Sequence, residues 1–161
     1  MHNRFIDDGG QMVGFLGCYT VACPACRAAA RVSILGEPRF VLFATRRLTC
    51  TGCGFTRDWA QSIVTCPNPE SGLDWYFRAP FYFQIPCAGH RLWVANREHL
   101  EFLRGYVAAK HRARSGRGWS NKSLASRLPK WMSAAKNRIP VLKALAELEQ
   151  RMRAYEARVM D

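Results

Sequence analysis

Two Cys-x-x-Cys pairs constrain this chain more than any other feature. The pairs are Cys23/Cys26 and Cys50/Cys53, and 23 residues separate Cys26 from Cys50. Two residues between paired cysteines allow one tight turn to direct both sulfurs at a single point. Two such turns facing each other supply the four ligands of a tetrahedral Zn²⁺, at about 2.3 Å per sulfur. The spacing therefore predicts one Zn²⁺ site formed by all four cysteines.

The segment between the pairs must leave the metal site and return to it. Branched and aromatic residues dominate Arg31–Leu35 and Arg39–Thr49, and a Gly36-Glu37-Pro38 turn separates these runs. This pattern predicts a β-hairpin, to which Phe55–Val64 adds a third strand. A closed shell of four thiolates leaves no position for water or substrate, which argues against zinc catalysis.

Short motifs around the cysteines resemble the zinc ribbon family, including ribbons of the transcription-factor-IIB type. The matching motifs are "CPAC" at Cys23–Cys26 and "CTGCG" at Cys50–Gly54, and the resemblance covers roughly residues 18–64. Arg27 departs from the family pattern, because a glycine is usual at its position. The order of motifs along the rest of the chain is similar to a group of small bacterial zinc-ribbon proteins of undefined function. That resemblance implies one architecture and supplies no activity.

Two alternatives to zinc use similar cysteine spacing. A thioredoxin-like redox site needs one Cys-x-x-Cys pair at the start of a helix, whereas both pairs here lie beside predicted strands. Rubredoxin-type iron sites occur in electron carriers that tend to be acidic, whereas this chain has a net charge of +12. Zinc is therefore the metal that the sequence favours.

Three cysteines lie outside the two pairs: Cys18, Cys66 and Cys87. Cys87-x-x-His90 has the spacing of half a metal site. A second Zn²⁺ site built from Cys66, Cys87, His90 and a further histidine such as His99 is one interpretation. The interpretation that we favour is a buried Cys87 thiol beside a hairpin turn, with His90 on the surface.

The middle of the chain is rich in aromatic residues and predicts a second hairpin. Its strands are Trp75–Ile85 and Arg91–Ala95, joined at Ala88-Gly89. Alternation along the first strand predicts a core face and a second face that could stack nucleic-acid bases. The core face contains Phe77, Phe81, Phe83 and Ile85. The second face contains Tyr76, Arg78, Tyr82 and Gln84.

Helices are predicted after this hairpin. Asn96 is a good N-cap for a helix that runs to about Arg114, and Pro129 favours a second helix that starts there. The last helix is predicted to begin near Pro140. Its heptad seam either packs on the protein's own body or forms a homodimer or partner contact through residues 140–160. The seam consists of Val141, Leu145, Leu148, Met152, Tyr155 and Val159.

Positive charge is concentrated in one part of the chain. Residues 104–143, here called the basic segment, contain eleven Lys or Arg and no Asp or Glu. The rest of the chain has a net charge of only +1. Segregated charge of this kind favours a polyanionic partner.

Nucleic-acid binding, to DNA or RNA, is the leading hypothesis for function, with phosphate contacts that carry little sequence preference. The alternative is an adaptor that docks a larger nucleoprotein or transcription complex through the ribbon or the last helix. Catalysis is least favoured, because carboxylates are few. The predicted nucleic-acid-binding residues are Arg104, Lys110, Arg112, Arg114, Arg117, Trp119, Lys122, Arg127, Lys130, Lys136 and Arg138.

These patterns together predict an α+β fold, with an N-terminal zinc ribbon and small antiparallel β sheet followed by C-terminal helices. The predicted regions are 1–66 (zinc ribbon), 67–96 (aromatic β-hairpin) and 97–161 (basic helical region). No apolar run approaches the roughly 20 residues that span a bilayer. Asp7 and Asp8 precede the short apolar stretch 12–22, where an export signal would carry positive charge. We therefore expect a cytoplasmic protein without a membrane partner.

Overall fold

The computed structural model describes residues 4–115 and 121–161 and confirms the α+β class, with strands mainly in the N-terminal part and the longest helix at the C-terminus. The described strands are β1 (Arg4–Asp7), β2 (Cys18–Ala22), β3 (Ala29–Ile34), β4 (Arg46–Thr49), β5 (Thr56–Trp59), β6 (Phe83–Cys87), β7 (His90–Val94) and β8 (His111–Arg114). The described α-helices are α1 (Arg97–Ala108), α2 (Leu124–Arg127), α3 (Lys130–Ser133) and α4 (Arg138–Met160).

The central sheet has the order β2-β3-β4-β5, and each neighbouring pair is antiparallel. Successive side chains point to opposite faces of a strand. Tyr19, Val21, Val32 and Leu48 are accordingly buried on one face, whereas Arg47 on the other face is exposed. The sheet thus has one face for the core, and the turns that carry the paired cysteines lie at one end of it.

The connection from β3 to β4 differs from the predicted hairpin. The strand expected over Arg39–Thr49 is wrong in its first half, because Val41–Phe43 forms a 3₁₀ turn and β4 begins at Arg46. The side chain of Arg46 is fully buried and holds this turn by hydrogen bonds to backbone carbonyls. Its guanidinium donates hydrogen bonds at 2.9 to 3.3 Å to the carbonyl oxygens of Leu16, Val41 and Ala44. The third strand is also shorter than predicted and ends at Trp59.

The aromatic hairpin forms, but its first strand begins at Phe83 rather than at Trp75. Residues 75–78 instead turn around the buried carboxylate of Asp74. That carboxylate accepts hydrogen bonds from the hydroxyl of Tyr19 and the backbone amides of Tyr76, Phe77 and Ala79. The turn buries Tyr76, whose ring lies 3.6 Å from the guanidinium carbon of Arg46. The prediction that Tyr76 shares an exposed stacking face is therefore wrong.

Helix α1 begins as predicted, since the side chain of Asn96 accepts the amide of His99 at 3.0 Å. It ends at Ala108 rather than near Arg114, because the following residues form β8 and pair in parallel with β1. Phe5 of β1 packs edge-on against Phe102 and Tyr106 of α1, with ring centroids 5.3 and 5.4 Å away. This packing places β1 beside the end of the helix, where its backbone can pair with β8.

Helix α4 packs against β6 and α1 through the predicted heptad seam. Val141, Leu145, Leu148 and Met152 are buried in the protein's own core, whereas Val159 is 64% exposed. The interpretation of the seam as internal packing is therefore confirmed over most of its length. A homodimer or partner contact through residues 140–160 stays a prediction.

Buried side chains form two clusters. One lies under the central sheet and the turn around Asp74, and the other lies between the second hairpin, α1 and α4. Phe102 and Leu128 contact both clusters. Within the described ranges, no helix combines the length and apolar character that crossing a bilayer requires.

Candidate metal centre and the basic segment

The four paired cysteines come together at one end of the central sheet. Their sulfur atoms all lie within 4.8 Å of one another. The Sγ–Sγ distance is 3.7 Å between Cys23 and Cys53, and 3.6 Å between Cys26 and Cys50. A tetrahedral ion with 2.3 Å bonds to sulfur separates its ligands by about 3.8 Å, whereas a disulfide needs about 2.05 Å. The four thiols are thus free and spaced for one metal ion.

The two cysteine turns have the same backbone geometry. The amide of Arg27 donates to the carbonyl of Cys23 at 2.9 Å, and the amide of Gly54 donates to the carbonyl of Cys50 at 2.9 Å. Arg27 has a φ of 67° and Gly54 a φ of 77°, both in the left-handed region. Arg27 therefore adopts a conformation that favours glycine, at a cost of about 1–2 kcal/mol for a residue with a Cβ.

The four thiols influence one another's protonation. Burial raises the pKa of Cys23, but hydrogen bonds from the backbone amides of Cys26 and Ala25 and from neighbouring thiols outweigh it and lower the pKa to about 7. A backbone hydrogen bond from Phe55 lowers the pKa of Cys53, but the other thiols outweigh it and raise the pKa to about 12. Thiolates this close repel one another, and a bound Zn²⁺ would offset that repulsion with all four ligands deprotonated. The donor set therefore fits a zinc ion.

The residues considered for a second metal site do not assemble. Cys87 is buried, as we favoured, and the Nδ1 atom of His90 lies 3.1 Å from Glu70 Oε1. The Nδ1 atom of His99 accepts the backbone amide of Ala95 at 3.1 Å. Across residues 4–115 and 121–161, only the four-cysteine group brings three or more metal-ligating side chains together.

The first cations of the basic segment lie on α1 and on the small β1–β8 sheet. Arg104 is paired with Glu149 of α4 at 2.9 Å. Arg112 lies over the ring of Tyr106, 4.5 Å from its centroid, and also donates to the Tyr106 carbonyl. Lys110 and Arg114 are exposed beside it. The basic helical region predicted over 97–161 therefore contains a strand at His111–Arg114.

The remaining cations of the segment follow β8. Lys122 and Arg127 line a cavity of about 240 Å³ beside α2, and Lys130 and Lys136 are exposed. Arg138 is half-buried, and its Nε atom has no acceptor within the described ranges. Two further predicted residues, Arg117 and Trp119, lie outside the described residues.

Asp7 connects the residues after β8 to the start of α2 through hydrogen bonds to Ser115 and Ser123. Sequence analysis did not predict this role. Its backbone carbonyl accepts the amide of Ser115 at 3.0 Å, and its buried carboxylate accepts the hydroxyl of Ser123 at 2.6 Å. Ser123 in turn caps α2, accepting the amide of Ser126. No local spacing could indicate this contact, because Asp7 and Ser123 are 116 positions apart.

Comparison with known proteins adds no relative. The sequence matches no protein-family model, and no curated protein or solved structure is significantly similar to it.

Proposed function

We propose that this chain is a zinc-stabilised nucleic-acid-binding protein, with a ribbon of the transcription-factor-IIB type and phosphate contacts from the basic segment. The observation that carries this proposal is a set of exposed cations without a carboxylate partner among the described residues. The set consists of Lys110, Arg112, Arg114, Arg127, Lys130 and Lys136.

The charges of α4 show the opposite arrangement. Glu147 pairs with Arg151, and Glu149 pairs with Arg153 and Arg104. Such pairs neutralise themselves, whereas the six exposed cations named above have no carboxylate partner among the described residues and keep their charge for a polyanion. Contacts to phosphate give affinity without sequence preference and release counterions on binding.

Binding of the zinc-loaded protein to single-stranded DNA, duplex DNA and RNA over a salt series tests the proposal. The logarithm of the binding constant should fall linearly with the logarithm of salt concentration, by about 0.7–0.9 per phosphate contact. The ligand with the highest affinity would identify the class of nucleic acid. Absence of binding to all three at low salt would refute the proposal.

One observation favours the adaptor as a second candidate. The loop between β3 and β4 exposes Phe40 and Phe43 at 64% and 51%, with Val41 between them. Exposed apolar residues in a cluster are typical of protein contact sites. An adaptor would lose its partner in the variant Phe40→Ser/Phe43→Ser, whose salt-dependent binding to nucleic acid would be unchanged.

A further inference from the structure

A largely apolar cavity lies between β7, α1, α2 and α3. Its volume is about 240 Å³, which is below the roughly 300–1,000 Å³ of pockets that hold drug-sized molecules. A cavity of this size suits a single ring system. Three indole rings line it, from Trp75, Trp93 and Trp131. Aromatic side chains of this kind are the surfaces on which nucleic-acid bases stack.

One hydrogen-bond donor at the cavity is buried without a partner within the described ranges. This donor is the Nε1 atom of Trp131, which lines the cavity. His99 also lines the cavity and is 2% exposed, and its Nδ1 atom accepts the amide of Ala95. Its neutral ring therefore carries its proton on Nε2. Since buried donors are normally paired, the indole N–H of Trp131 favours a ligand that carries acceptor atoms.

The exposed side chains that line the cavity are mainly cationic. Arg91, Lys122 and Arg127 contribute positive charge, and among the described residues of the lining only Glu70 contributes a carboxylate. The Glu70 carboxylate lies 3.1 Å from the imidazole of His90. Arg127 uses its Nε atom to bind the Asn121 carbonyl, which leaves further guanidinium donors for an anion. The opening of the cavity therefore has an excess of positive charge.

We propose that this cavity binds one nucleotide, with the base among the indoles and its phosphate at the cations. A base offers a planar ring for stacking and carbonyl or ring-nitrogen acceptors for the unpaired indole N–H of Trp131. The same chemistry is present in a free mononucleotide and in one unstacked residue of a single strand. For a residue within a strand, the inference rests on the function proposed above.

Three probes separate these sources: an oligothymidylate strand, an abasic strand of the same length, and thymidine monophosphate. The indole N–H resonances of Trp75, Trp93 and Trp131, assigned by single Trp→Phe changes in the full zinc-loaded chain, report on the cavity. Oligothymidylate should shift these resonances and bind at least about fivefold more tightly than the abasic strand, because one stacked base contributes that much.

Two variants isolate the cavity from the phosphate contacts. Leu128→Trp fills the cavity from a half-buried position and should abolish the preference for the strand that carries bases. The matched control, Lys110→Glu/Lys136→Glu, changes exposed cations outside the cavity lining. It should weaken binding to both strands by the same factor. Both variants must keep the zinc content and melting temperature of the parent.

The outcomes distinguish this inference from the proposed function. Equal affinity for the two strands, with unchanged indole resonances, would overturn the cavity inference and leave phosphate binding intact. If neither strand binds, the proposed function fails. The cavity inference is then tested by adding thymidine monophosphate and measuring the indole resonances. Shifted indole resonances would then support a site for a free nucleotide, and unchanged resonances would overturn it.

Discussion

The four-cysteine site and the basic segment are the two most visible features of the sequence, and the structure arranges them differently. The cysteines converge until their sulfurs lie within 4.8 Å of one another. The cations are distributed over α1, β8, α2, α3, the start of α4 and the segments between them, and Arg104 is paired with Glu149. Two local turns set the positions of the cysteines, whereas no interaction holds cations of like charge together. Ligand spacing therefore predicts a site, and charge density predicts only a kind of partner.

The largest effect is expected from loss of a metal ligand. Cys50→Ser removes a buried ligand whose side chain also belongs to the core cluster, and structural Zn²⁺ contributes about 10–16 kcal/mol of folding free energy in zinc-finger peptides. The variant should purify without stoichiometric zinc and lose cooperative unfolding of the sheet. Metal analysis and thermal melting measure this. Cys66→Ser, at an exposed thiol outside the site, is the matched control, and identical behaviour of the two variants would contradict the metal site.

A smaller loss is expected at Arg46, which tests whether the ribbon also depends on polar contacts away from the metal. Arg46→Met leaves three carbonyl oxygens without their donor, and an unsatisfied buried acceptor costs about 1–3 kcal/mol. We expect the free energy of unfolding to fall by about 3 kcal/mol in urea denaturation, with zinc still bound. Arg47→Met, at the neighbouring exposed residue paired with Asp58, should change it by less than about 1 kcal/mol. A similar loss for both variants would argue against the role of Arg46.

The pH dependence of stability should report on His99, which lies outside both features. Complete burial lowers the pKa of His99 to about 3, below the value of about 6.5 of an unfolded chain. The unfolded state then binds the proton more readily, so this stability is fully present above pH 6.5 and is lost as the pH falls towards 3. The slope is at most about 1.4 kcal/mol per pH unit. His99→Asn keeps an acceptor for the Ala95 amide but cannot take up the proton. Urea denaturation between about pH 4 and 7, the window given by these pKa values, should show a smaller dependence of the free energy of unfolding on pH for this variant than for the parent. An equal dependence on pH in both proteins would contradict this prediction.

The smallest effect compares the two cysteine turns directly. Arg27→Gly should stabilise the first turn by about 1 kcal/mol, because Arg27 has a φ of 67° that glycine adopts without strain. Gly54→Ala should destabilise the second turn by a similar amount, since Gly54 has a φ of 77° and no heavy atom lies near its missing Cβ. Thermal melting of the zinc-loaded proteins measures both. Changes of the same sign would show that the turns are not equivalent.

Sequence patterns predicted the features that depend on neighbouring residues. The cysteine turns, the Asn96 cap, the helix that follows Pro129 and the buried seam of α4 all follow from local spacing or residue chemistry. They need no information about distant parts of the chain.

The features that the sequence did not reveal depend on distant contacts. β8 leaves the predicted helix because it pairs with β1, and residues 75–78 turn because the Asp74 carboxylate accepts their amides. An aspartate in an aromatic segment gives no sign that it will be buried and fully hydrogen-bonded. For the same reason, the cavity and the unpaired indole N–H of Trp131 could be recognised only in three dimensions.

The central claim is that location, and not net charge alone, makes the basic segment a phosphate-binding surface. Two triple variants with the same change in charge test it: Lys110→Glu/Lys130→Glu/Lys136→Glu within the segment, and Arg39→Glu/Arg57→Glu/Arg158→Glu outside it, all at exposed positions. The measurement is the salt dependence of binding to the preferred nucleic acid by the folded, zinc-loaded proteins. The first variant should reduce the log–log slope by about 2–3, for three lost phosphate contacts, and the second should keep a slope close to that of the parent. Equal loss in both variants would contradict the account.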